Sequence, residues 1–344
     1  MTFTESRYST PAAPRPGRIG VLIGNLGPPD STDYWTVRRY LSEFLSDKRV
    51  IDYSAWRWQP VLQLFILSTR PQATGANYRL IWNEERDESP LLTITRDQAD
   101  AIRAALAADY GDRVHVDFCM RYGNPSTASK VQEMVAAGCD RILFFPLYPQ
   151  YSSATTATAN DAVFRALMQG KNQPTLRTIG AYYDDPAWLD ALTSSVTEAF
   201  AGREPPERLI CSYHGLPERF LPEGDPYYHH CLETTRLLRE RLGWAEETLV
   251  STFQSQFGRE VWIKPYTVKE VARLAREGIT RIGIIAPAFA ADCIETLEEI
   301  QGEIQDAFME AGGQEFTYIP CLNERADHVA ALTGIIRANL GGWV

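Results

Sequence analysis

Eight short apolar runs, separated by longer amphipathic stretches, constrain this chain more than any other feature. The runs are Ile19–Leu26, Val114–Met120, Arg141–Leu147, Leu176–Tyr182, Leu209–Tyr213, Leu249–Phe253, Arg281–Pro287 and Phe316–Pro320. Most are too continuously apolar to alternate, the pattern of strands buried on both faces of a parallel sheet. Between them, apolar residues return at helical spacing. Val37, Tyr40, Leu41, Phe44 and Leu45 form one such stripe, and Val329, Leu332, Thr333 and Ile336 form another near the end. Alternation of this kind predicts an α/β fold built on doubly wound parallel sheets.

At 344 residues the chain has length for two domains, and the runs divide four and four. Arg141–Pro146 has a counterpart in Arg281–Pro287, each followed by a polar loop and then a helix. We read two similar α/β domains, 18–182 and 183–321, each a four-stranded parallel sheet flanked by helices. Residues 1–17, with prolines among charged residues, read as a disordered lead. The last helix, within 322–344, is expected to pack back on the first domain, because chain ends often lie close together. Asn323 stands where a residue capping that helix would.

A net charge of −10 argues against a nucleic-acid surface, which needs a basic stripe to displace counterions. It leaves room for cationic ligands and metal ions. Six scattered cysteines with no C-x-x-C pair read as reduced thiols of a cytoplasmic protein. No stretch reaches the roughly 18 apolar residues of a membrane span, and no apolar signal-peptide core stands at the start. Trp56 to Leu67 is nevertheless unusually apolar for a connection. It is either a helix docked on the core or a cleft lip that touches the inner membrane peripherally.

In open parallel sheets, ligands bind beyond the carboxyl ends of the strands. Leu26 follows the first run in a tight turn that is no dinucleotide fingerprint, and no Walker-type loop occurs. Arg121 follows the second run, Tyr148 the third, and His214 the fifth. A lone arginine, tyrosine or histidine is ordinarily a surface or core residue. His214 sits at a strand end before a loop fixed by Gly215 and Pro217, and this tips it toward function. Ser212 beside it lacks a nucleophile elbow. His229 and His230 read as solvent-facing. After the seventh run, Asp292 or its neighbour is placed to cap a helix on which Glu295, Glu299 and Glu303 recur every four residues. Like charges at this spacing cost a few tenths of a kcal/mol per pair, roughly. A solvated acidic face is the bland explanation. A row of hard oxygen ligands on which a divalent cation sheds water in steps is the functional one.

Three segments occur in a telling order and spacing: Ser212–Pro217 with Gly224–Tyr227, Phe253–Gly258 with Trp262, and Phe289–Glu299. Together the chain resembles the ferrochelatase family from about residue 18 to 340. The resemblance implies a chelatase-like fold and insertion of Fe2+ into protoporphyrin IX with release of two protons, the terminal step of heme synthesis. It implies His214 and Glu295 as the opposed catalytic pair, and His214, Glu295, Glu299 and Glu303 as groups that meet the metal. Leu26, Arg121, Tyr148, Ser255, Trp262 and Phe289 would line the porphyrin cleft, with Arg70, Tyr78 and Ser89 near the propionates. Iron is then a substrate, with no permanently bound cofactor. Ser153 stands where animal members hold an iron–sulfur cluster on cysteine, so no such cluster is expected. Cys293 replaces a second family histidine, and Ala73 an expected lysine.

Histidine, with an ordinary pKa of about 6.5, accepts protons near neutral pH, and a carboxylate can hold iron. The reverse division stays open. A porphyrin carrier would share the cleft but would not need the glutamate row. A two-domain solute-binding protein would share the architecture but carries an export signal, and a cobalt chelatase is disfavoured by the match along the chain.

Overall fold

The computed structural model describes residues 17–258 and 260–344, so the expected lead, 1–16, lies outside the described residues. Each apolar run overlaps one strand: β1 Arg18–Asn25, β2 Val114–Met120, β3 Cys139–Pro146, β4 Thr175–Thr178, β5 Arg208–His214, β6 Leu249–Gln254, β7 Arg281–Ile285 and β8 Glu315–Ile319. Two four-stranded sheets result, ordered β2-β1-β3-β4 and β6-β5-β7-β8, and every pairing is parallel. In each sheet the first strand lies between the second and the third. The carboxyl ends of β1 and β5 are therefore the switch points at which a crevice opens. Leu26 follows one and His214 ends the other.

The helices are α1 Tyr34–Leu45, α2 Ala55–Val61, α3 Leu67–Ile81, α4 Pro90–Tyr110, α5 Thr127–Ala136 and α6 Thr158–Gln169 in the first half. Then follow α7 Pro186–Ala199, α8 Tyr227–Leu242, α9 Thr267–Arg276, α10 Gln305–Glu310 and α11 Ala326–Leu340. Their ends follow local chemistry. Asp33 accepts the Trp35 and Thr36 amides to start α1, and Asp185 accepts the Trp188 amide ahead of Pro186 to start α7. Gly243, at φ 66°, closes α8 in the left-handed conformation that costs glycine least.

One apolar cluster runs through both sheets, from Ile19, Val21 and Ile23 of β1 to Leu209, Cys211 and Tyr213 of β5. Trp188 and Leu192 of α7 and Leu332 and Ile336 of α11 belong to it. α11 packs on α4 and α7, and the Arg337 guanidinium donates to Asp109 at 2.8 Å. Asn323 does not cap α11, which begins after Arg325. Its backbone is left-handed (φ 47°), a conformation a short amide tolerates, and its side chain is engaged elsewhere.

The segment from Trp56 to Leu67 is a continuous rod: α2, a π-helical turn over Leu62–Ile66, then α3. Leu62 and Leu67 are buried against Val37, Tyr40 and Leu41 of α1. Trp56, Leu64 and Phe65 point outward, 72%, 68% and 69% exposed. No helix among the described residues is long and apolar enough to cross a membrane.

Candidate active site

His214 is half-buried at the end of β5. Its Nδ1 lies 2.7 Å from the Gly215 carbonyl oxygen. A carbonyl only accepts, so this contact assigns a proton to Nδ1, and in the neutral ring it is Nε2 that keeps the lone pair. Gly215 is required here: a Cβ would lie 2.7 Å from the Gln254 carbonyl and 3.0 Å from the Trp262 ring. Trp262, 5% exposed, is thereby seated beside His214. Its indole N–H donates to the Phe257 carbonyl at 3.0 Å, and the Phe257 ring stands edge-on to it at 4.9 Å.

In the acidic row the local geometry departs from the α-helical reading. Glu295–Ile304 is a π-helix, in which residues five apart become neighbours. Glu299 is the half-buried anchor of the row. Its carboxylate accepts the Ser255 amide at 2.7 Å, the Gln254 side-chain amide at 3.2 Å and the Ser255 hydroxyl. Gln254 also donates to the Glu295 carbonyl at 2.8 Å and accepts the Ser212 hydroxyl at 2.5 Å. Ser212 is thus a structural link between β5 and β6. Ser255 is held left-handed at φ 62°, an unfavourable conformation for serine that the two bonds to Glu299 maintain. Burial pushes the Glu299 carboxyl up; the Ser255 hydroxyl, the nearby His214 charge and Gln254 pull the other way without cancelling it.

Glu295 lies on the side of Tyr40, Tyr78 and Cys293. Their hydroxyls and thiol are pushed up first by burial, with the Glu295 charge adding to it. Glu303 is exposed. Glu298, which α-helical spacing leaves out of the row, is brought in: it accepts Asn77 of α3 at 2.9 Å. Burial raises its carboxyl, and the Glu303 and Glu295 charges add to that. The four residues expected to meet the metal therefore do not converge on one cage. Among the described residues no group of three or more His, Cys, Asp or Glu could hold a metal ion. The arrangement is a graded row, from exposed Glu303 to half-buried Glu299, because Glu299 is fixed to the Ser255 loop.

Asp292 does not cap this helix either. Buried, it accepts the Thr296 hydroxyl at 2.9 Å, the Cys321 amide at 3.3 Å, the Asn323 side-chain amide at 2.7 Å and the Tyr318 hydroxyl. Its own amide donates to the Asn323 side-chain oxygen at 2.8 Å. Gln98 of α4 donates to the Ala290 and Asn323 carbonyls at 2.8 and 2.9 Å. The segment carrying Phe289 and Glu295 is thus clasped from both sides. Sequence periodicity contains no signal for this clasp.

The remaining expected residues divide. Leu26 and Phe289 share one small cluster with Leu91 and Cys293. Tyr148 and Ser89 are buried, each with a hydroxyl that has no partner among the described residues. Tyr78 is buried beside Tyr40 and does not stand at an open rim. Arg70 is exposed, its guanidinium 5.9 Å from the Phe257 ring. Arg121 is not free to take a carboxylate. It donates to Asp47 and, at 3.0 and 2.7 Å, to the Thr158 carbonyl and hydroxyl. His229 is exposed as expected, but His230 stacks on Tyr183 at 3.9 Å and accepts the Tyr151 amide at 3.2 Å.

The ferrochelatase family model matches residues 18–340. The ferrochelatase of Rhodobacter capsulatus is 59% identical over 336 residues, 97% of this chain and 95% of that protein. That of Mesorhizobium japonicum is 52% identical over 329 residues, 95% of this chain and 93% of that protein. Among solved structures, SirB from Bacillus subtilis with Fe3+ superposes with a TM-score of 0.56 at 12% identity, covering 94% of this chain and 96% of that one. CbiX, described as the terminal enzyme for biosynthesis of siroheme in denitrifying bacteria, gives 0.52 at 13% identity, covering 94% and 100%. These two carry the fold alone, a chelatase-like pair of parallel sheets. On the family match and the full-length identity, the chain belongs to the ferrochelatase family.

Proposed function

We propose that His214 takes the pyrrole protons, and that the row Glu303, Glu299 and Glu295 guides the metal, in the reaction of this family: insertion of Fe2+ into protoporphyrin IX to give heme and two protons. The Nε2 lone pair of neutral His214, with half-buried Glu299 close enough for charge on the ring to act on its carboxylate, carries this reading. Metallation needs a base and a supply of desolvated metal at one point, and an open, graded row delivers a substrate cation where a closed cage would retain it. Trp262, Phe289, Leu26 and Tyr148 would hold the macrocycle, and the unspent hydroxyls of Tyr148 and Ser89 are donors a polar ring edge could use. Arg70 would meet a propionate. Ser255 serves through Glu299, and Arg121 and Tyr78 support the cleft from behind.

Iron is the substrate, and we propose no resident cofactor. Ser153 offers no thiolate at the position where the resemblance would put a cluster ligand, which supports a chain without an iron–sulfur cluster. Trp56, Leu64 and Phe65 support a peripheral membrane contact, where a sparingly soluble porphyrin would be exchanged.

Steady-state insertion assays test the metal path. Glu303→Gln should raise the KM for iron severalfold and leave porphyrin binding unchanged, while Glu299→Gln should lower kcat. An iron KM unmoved in both variants would contradict the path.

A further inference from the structure

Between α1 and α6 lies an open groove of about 880 Å3 that the chemistry above does not use. Arg38, Arg39, Lys48, Arg49, Arg121 and Arg165 line it, against three carboxylates, in a chain of net charge −10. Arg49 and Arg165 are paired with Asp161, and Arg121 with Asp47. Arg38, Arg39 and Lys48 make no ion pair among the described residues. The groove thus offers uncompensated positive charge at one spot on an acidic surface.

The groove is bolted to the apolar edge. Arg38 donates to Gln63 at 3.0 Å, Gln63 donates to Ser42 at 2.9 Å, and Gln59 donates to Ser46 at 2.9 Å. Those glutamines belong to the rod that exposes Trp56, Leu64 and Phe65. Trp35, one turn before Arg38 on α1, is itself 67% exposed. An apolar edge alone binds a bilayer weakly, and stable docking takes a second signal such as a basic patch against anionic lipid. Arginines also suit phosphate oxygens.

We propose that this groove binds the anionic headgroup of a membrane phospholipid while the adjacent Trp56–Phe65 edge enters the bilayer, an assignment that rests on the peripheral membrane contact proposed above. Charge complementarity names the lipid class, and the apolar rim separates a lipid from a free anion, which would need no such edge.

The test is flotation of the full chain with vesicles of phosphatidylcholine alone or with added phosphatidylglycerol. The wild type is compared with a triple variant, Arg38→Gln, Arg39→Gln and Lys48→Gln, and an edge variant, Leu64→Glu and Phe65→Glu. The wild type should float with the anionic vesicles and only weakly with neutral ones. At about fivefold per cation near such a surface, the triple variant should partition on the order of a hundredfold more weakly, with an unchanged melting temperature and unchanged insertion activity in detergent. Equal binding to both vesicle types, or a triple variant that floats like the wild type, would overturn the groove while the edge variant's loss upheld membrane contact. Displacement by millimolar inorganic phosphate at constant ionic strength would reassign the groove to a free anion. Absence of flotation in every case would remove the membrane contact and the groove together.

Discussion

Ser255 is the residue on which most of the site geometry turns: a left-handed serine whose amide and hydroxyl both end on Glu299. Its hydroxyl favours the ionised carboxylate, while burial favours the protonated one. Ser255→Ala removes one donor to the charged form, so the Glu299 carboxyl should rise further. If ionised Glu299 is needed for turnover, the acidic limb of the kcat/KM profile moves to higher pH, and an unmoved limb would contradict that role. His214 was legible in the sequence because it ends an apolar run ahead of a glycine and a proline. That the Arg121 guanidinium is already engaged was not legible, because its partner Asp47 lies far away in the chain, which no local pattern reveals. Glu298 was hidden for another reason: counting by α-helical turns misassigns faces wherever hydrogen bonding shifts to a π pattern.

At the scale of elements, the strands were legible because parallel strands buried on both faces must be continuously apolar. The clasp between the 290–296 segment and Asn323 was not, because it is made by single polar side chains of distant loops. Asn323→Ala loses both bonds to buried Asp292 and puts alanine in a left-handed backbone, which should cost about 3 kcal/mol in denaturant unfolding. Asn323→Gly, which suits that backbone, should cost about 1 kcal/mol less; equal losses would contradict the strain component. His328 of α11 packs under the same loop, its Nδ1 donating to the Asn323 carbonyl at 2.7 Å. Burial holds its pKa down to about 4. The unfolded chain therefore binds the extra proton first as pH falls. The stability contributed by neutral His328 is complete above about pH 6.5 and is lost progressively toward pH 4, by up to about 3 kcal/mol. His328→Gln should flatten the stability profile over that window, and a profile identical to the wild type would contradict this.

For the whole molecule, the four-and-four division of the apolar runs and the likeness of Arg141–Pro146 to Arg281–Pro287 suggested two units, and the two sheets share one strand order. The packing is less divided than the topology, since one apolar cluster joins β1, β3, β5, β6, α7 and α11. Calorimetry should accordingly give a single cooperative transition, and two resolved transitions would contradict a shared core. Deleting residues 326–344 removes Val329, Leu332, Ile336 and Leu340 from that cluster, and should unfold both halves together.

Leu26, after β1, shares an apolar cluster with Phe289 of the second half, so the candidate site draws on both halves of the chain. The most direct test is anaerobic: purified protein with Fe2+ and protoporphyrin IX, following loss of porphyrin fluorescence, beside His214→Ala. The wild type should consume porphyrin over many turnovers. The variant should bind it with similar affinity but insert iron at least about a hundredfold more slowly, the contribution expected of a positioned base. Near-normal insertion by His214→Ala, with porphyrin still bound, would contradict the central role given to this histidine.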